Sequence, residues 1–112
     1  MSIYWYSEQM KKLNKNDFKS WGDYYYAYQR SLSKDYYIPF LLEYGIDIEN
    51  KDILEIGCGN GGFISGFSDY SDKCVGFDIK NLNWENSKIK LFTLDVFDER
   101  LADKLETKFD LI

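Results

Sequence analysis

Residues Ile53-Leu-Glu-Ile-Gly-Cys-Gly-Asn-Gly-Gly-Phe63 set an apolar run carrying one carboxylate, Glu55, directly before Gly57, Gly59, Gly61 and Gly62. Half of the chain's 8 glycines fall in this stretch, which therefore reads as a turn whose backbone must leave the conformations open to other residues. The spacing Gly57-x-Gly59-x-x-Gly62 predicts a tight corner between a strand and the helix carrying Phe63, Ile64 and Phe67.

Working outward, the same texture recurs. Asp52–Ile56, Lys73–Asp78 and Ile89–Asp95 are short apolar runs with helix-sized intervals between them, and Phe109–Ile112 begins a fourth. Asp98 is placed to cap a helix whose Leu101 and Leu105 lie one turn apart. Alternation of this kind predicts an α/β fold with a mainly parallel sheet. Upstream the chain reads as helical and aromatic, with Trp5, Trp21, Tyr24, Tyr25, Tyr26, Tyr28, Tyr36 and Tyr37. Phe18, Trp21, Tyr25 and Tyr28 recur at the steps of one helix face. Pro39 and Gly45 bracket a short helix at 39–44. The expected division is 1–50 as an N-terminal helical cap and 51–112 as an α/β core.

Composition narrows the partners. A chain of 112 residues with net charge -5 offers no basic stripe for phosphates, and no window is apolar enough to span a bilayer. Neither nucleic acid nor membrane is expected. Met1-Ser-Ile-Tyr-Trp5 shows no basic region followed by an apolar one, so the expected compartment is cytoplasmic. Cys58 and Cys74 are a weak disulfide signal. With 0 histidines to join them, no metal site is expected.

The glycine spacing in this context suits a nucleotide ligand, whose phosphates would normally meet free N–H groups at the helix start. Glu55 opposes such an anion. It suits a ligand with cationic groups, such as the ammonium and sulfonium of S-adenosylmethionine. Glu55-x-Gly57-x-Gly59-x-Gly61 resembles motif I of the class I S-adenosylmethionine-dependent methyltransferases. Asp78 closes Val-Gly-Phe-Asp, 23 positions beyond Glu55, where a strand-tip carboxylate accepts from ribose hydroxyls. Ile79 beside it lies against adenine or belongs to the core. Read singly, Glu55 is otherwise an exposed strand-end carboxylate, Asp78 a strand terminator and Asp95 a loop residue. Three acids at three successive strand tips argue for a ligand.

The resemblance runs from about Tyr36 to Ile112, and its implications go further. They include S-adenosylmethionine as cofactor, contacts from Cys58 in the turn, and an adenine-reading edge made by Asp95 and the Val96 N–H. They also include a Rossmann-like sheet begun in the order 3-2-1-4, and an upstream arginine on the cofactor carboxylate. Arg30 is the candidate for that role, or else a solvated helix-face residue. Tyr28 and Tyr36 are candidate walls for the sulfonium, or core. Phe109–Ile112 reads as the fourth strand cut off inside its apolar run, so the catalytic group and the methyl acceptor stay unknown. A homodimer through the open sheet edge or the aromatic helices is a further expectation. A non-catalytic module of the same fold and, less favoured, an NAD-dependent oxidoreductase remain as alternatives.

Overall fold

The computed structural model describes residues 12–82, 89–105 and 107–112; Trp5, part of the expected aromatic start, lies outside them. After a short 3-10 turn at Lys15–Asp17, helix α1 spans Trp21–Leu32. Ser20 caps it, its Oγ accepting from the Asp23 N–H at 3.1 Å, and Asp23 and Arg30 sit at the ends where the helix dipole favours them.

The short helix expected at 39–44 is present as α2, Ile38–Glu43, but it is no separate element. A π-helical turn, Ser33–Tyr37, joins it to α1 without a break. Pro39 cannot donate to a carbonyl one turn back, and the widened turn immediately before it lets the helix run through. Gly45, at φ 76°, then ends the run, with its N–H on the Leu42 carbonyl and that of Ile46 on Leu41.

Strands β1 (Ile53–Ile56), β2 (Cys74–Asp78) and β3 (Lys90–Thr93) form a parallel sheet in the order β1-β2-β3. Helix α3 (Gly62–Phe67) follows β1, and α4 (Leu101–Leu105) follows β3. The register pairs Ile56 with Phe77 and Asp78 with Thr93, so the three strand ends share one edge of the sheet. At the other side of β1, Leu111 makes an isolated parallel bridge to Ile53, and its carbonyl accepts from Leu54 N–H at 2.9 Å.

Strand alternation sorts the core into two faces. Ile53 and Cys74 pack with Ile64 and Phe67 of α3, and with Ile38 and Ile48 from the helical part. Leu54, Phe77 and Leu94 pack with Leu101, Leu105 and Phe109 on the other face. A mainly parallel sheet with helices on it is the α/β fold expected. Among the described residues no helix is long and apolar enough to cross a membrane.

The aromatic stripe of α1 is not what seats this helix. A Cβ on Gly62 would lie 2.5 Å from the Tyr26 carbonyl oxygen, and one on Gly66 would collide with the Ser33 hydroxyl. Gly62 and Gly66 therefore admit the backbone of the α1 run directly against α3, with Tyr26, Gln29 and Ser33 at the contact. The rings instead pack on one another along the flank: Phe18 edge-on to Tyr24 at 5.6 Å, Trp21 tilted on Tyr24 at 5.5 Å and Tyr25 stacked on Tyr28 at 6.3 Å. Trp21 remains 61% exposed.

Candidate functional site

The turn after β1 is held from beneath by the β2 end. The Phe77 carbonyl accepts from the N–H groups of both Gly57 and Cys58, at 2.9 and 3.0 Å. Gly57, Gly59 and Gly61 have φ of 72°, 56° and 87°, a left-handed region that L side chains rarely adopt. A Cβ on Gly57 would meet nothing within 4 Å, so the turn leaves open space above its first glycine.

Asp78 ends β2 half-buried, and its Oδ2 accepts from the Gly59 N–H at 2.9 Å. Its Oδ1 makes a longer contact, 3.4 Å, with the Lys80 N–H. Ile79, beside it, is 63% exposed and so is available to a ligand rather than part of the core. Asp95, two residues past β3, is exposed, with Oδ1 accepting from the Phe97 N–H at 2.9 Å in an Asx turn that also orients Val96.

Among the described residues, Glu55 has the most perturbed carboxyl. It helps line a cleft of about 320 Å³ along the β1 edge with Tyr37, Leu41, Ile56, Phe63 and Leu111. Burial, and secondarily the negative charge of Asp78, push its pKa from an ordinary 4.5 to about 8. The Cys58 thiol is buried and pushed up to about 12, by burial first and then by Glu55 and Asp78. Cys58 is therefore neutral and unreactive at neutral pH. A cationic group placed here would favour the ionised form of Glu55.

Arg30 is committed elsewhere. Its Nη1 donates to the Ser65 carbonyl at 2.6 Å and to Ser65 Oγ at 3.1 Å, and Nη2 pairs with Asp69 Oδ2 at 3.2 Å. It ties α1 to α3 and the loop after it, because the course of α1 along α3 brings residue 30 to Ser65 and Asp69. Tyr28 is half-buried in the ring stack, and Tyr36 packs on Tyr37 at 5.2 Å. Among the described residues, no group of three or more His, Cys, Asp or Glu side chains is placed to hold a metal.

Two residues that the sequence did not assign to the site stand at the turn. Asn60 Nδ2 donates to the Gly22 carbonyl at 3.0 Å, whereas its Oδ1 is buried with no hydrogen-bond partner. Tyr25 Cε1 comes within 3.9 Å of where a Gly59 Cβ would be. Sequence offered a signal for the helix contact, the Gly62-x-x-x-Gly66 spacing, but none for which α1 residue meets the turn.

The positive-φ glycines, the orphaned acceptor and the paired acids fit an adenosine ligand with a cationic end. Comparison with known proteins defines the class. The chain belongs to the methyltransferase-domain family, whose model matches residues 26–112. It is also similar to a Methanocaldococcus jannaschii protein provisionally named as a protein N5-glutamine methyltransferase, with 36% identity over 77 residues. That match covers 64% of this chain and 39% of the relative, so the chain spans well under half the relative's length. No solved structure matches.

Proposed function

We infer that this chain is the cofactor-binding part of an S-adenosylmethionine-dependent methyltransferase. The observation that carries the reading is the pair of acids at the glycine turn: burial, and secondarily the negative charge of Asp78, raise Glu55 to about 8, and a bound cation would offset both by favouring the ionised carboxylate. A pyrophosphate would disfavour that form, which argues against an NAD-dependent oxidoreductase.

In this reading Gly57, Cys58, Gly59 and Gly61 form the cradle, and Glu55 faces the cationic end. Asp78 takes the ribose, Ile79 lies on the adenine, and Asp95 with the Val96 N–H reads the adenine edge. The cofactor, when bound, supplies a methyl group on a sulfonium. The residues of this chain bind and orient it, and no catalytic group is assigned. Residues 1–50 act as a cap and 51–112 as the core, although Ile38 and Ile48 share the core of the sheet. The Ile53 bridge to Leu111 supports a sheet order of 3-2-1-4. The cytoplasm is the compartment, and a homodimer through the β1 edge or the aromatic flank belongs to the same reading.

Titration calorimetry with S-adenosylmethionine, S-adenosylhomocysteine and NAD tests the cofactor. Binding of the first two and not the third is expected; the reverse order overturns the reading. For the acceptor, the relative's name makes a protein glutamine the first to try, with radiolabelled methyl transfer as the readout. Cofactor affinity without turnover would favour the non-catalytic module.

A further inference from the structure

The start of α1 lies on the glycine turn. Asn60 reaches across to the Gly22 carbonyl, and Tyr25 stands over Gly59. Farther along, α1 is fixed firmly by the close approach of Tyr26 to Gly62 and by Arg30 on Ser65 and Asp69. Tyr25 is 40% exposed, so part of it remains open to solvent.

The sheet order then says which part of the ligand comes there. Asp78 ends β2 and Asp95 follows β3, so an adenosine held by both lies away from β1. The remainder of the ligand, its amino-acid end, is left over the β1 turn. That is where Tyr25 and the Asn60 amide are. One N–H of the amide is given to the Gly22 carbonyl, which anchors the start of α1, and Tyr25 with it, over the turn.

We propose that Tyr25 is a ligand-binding residue of this site and Asn60 the positioning residue that holds it there, so that the start of α1 forms the wall against which the ligand's amino-acid end packs. The inference rests on the cofactor reading above and adds a specificity element that belongs to the helical part of the chain. An aromatic ring restricted by its stack on Tyr28 loses little freedom when a ligand packs on it.

Calorimetry with two ligands tests it. S-adenosylhomocysteine has the amino-acid end, and methylthioadenosine lacks it. Tyr25→Ala and Asn60→Ala are each expected to weaken S-adenosylhomocysteine about tenfold, with methylthioadenosine changed less than about threefold. Tyr25→Phe should retain wild-type affinity for both. Asn60→Ala added to Tyr25→Ala should cost little more, since it acts through the ring. Equal loss of both ligands, with a lowered unfolding temperature, would show a purely structural role and overturn the proposal. So would wild-type affinity for S-adenosylhomocysteine in both single variants. A wild-type chain that binds neither ligand overturns the cofactor reading itself, and the wall with it.

Discussion

The Gly59 N–H donates to Asp78 Oδ2 at 2.9 Å, so the carboxylate at the tip of β2 closes the turn that follows β1. One residue thus has two tasks. It shapes the cradle with one oxygen and, in the proposed function, offers the other to the ribose.

Asp78→Ala is accordingly expected to weaken S-adenosylhomocysteine binding by about 1.5–3 kcal/mol and to lower stability measurably, because the partly buried Gly59 N–H loses its carboxylate acceptor. Asp78→Asn keeps an acceptor for Gly59 and should retain most of the stability while still losing affinity. Calorimetry and urea unfolding of the two variants separate the tasks. Unchanged affinity in Asp78→Ala would remove the ribose assignment.

The helix contact makes a second test. Gly62→Ala places a methyl 2.5 Å from the Tyr26 carbonyl, a backbone group that cannot swing aside, and is expected to cost about 1–3 kcal/mol. Gly45→Ala, with nothing within 4 Å of the added methyl, meets only the strain of its positive φ. Denaturant midpoints compare them. A Gly62→Ala variant as stable as the wild type would mean that α1 does not pack this closely.

Arg30→Ala discriminates between a tie and a ligand contact. Loss of the bonds to Ser65 and the partly exposed pair with Asp69 should lower stability by about 1–2 kcal/mol. Affinity for S-adenosylhomocysteine should fall far less than in Asp78→Ala. A large, selective loss of affinity in a variant of normal stability would return Arg30 to the site.

Glu55 sets a pH dependence with a definite sign. Its folded pKa, about 8, lies above its ordinary 4.5, so between these values the folded chain holds a proton that the unfolded chain has released. The contribution is fully present below about 4.5 and is lost as pH rises to about 8, with a slope of up to about 1.4 kcal/mol per unit. Glu55→Gln should lack that slope, as thermal unfolding across the range would report. A bound cation favours the ionised form, so affinity for S-adenosylmethionine should rise with pH and level off near 8. Identical pH profiles for wild type and Glu55→Gln would contradict both statements.

Asp95 tests base recognition. Asp95→Asn retains an acceptor for the Phe97 N–H and should keep the Asx turn, while Asp95→Ala loses it. Adenine and hypoxanthine analogues should be less well distinguished by both variants than by the wild type, with the larger loss in Asp95→Ala. A wild-type chain that already treats the analogues alike would remove Asp95 from the adenine edge.

The sequence by itself determined the strand positions, the glycine turn and the acids at successive strand tips, because each follows from local rules. Apolar runs of strand length, the φ of glycine and the side-chain period of a strand need only a few neighbouring residues. The helical character of the aromatic segment was legible for the same reason. Which residues of the α1 run meet α3 was not: periodicity set Phe18, Trp21, Tyr25 and Tyr28 on one face, whereas the close approach to two glycines of α3 falls on Tyr26, Gln29 and Ser33. Only the tertiary structure decided that Arg30 ends on Ser65 and Asp69, that Asp78 closes the turn, and that Asn60 and Tyr25 stand at Gly59. These contacts join residues far apart in the chain. They depend on how closely two helices approach and on their relative direction, quantities that no window of sequence contains.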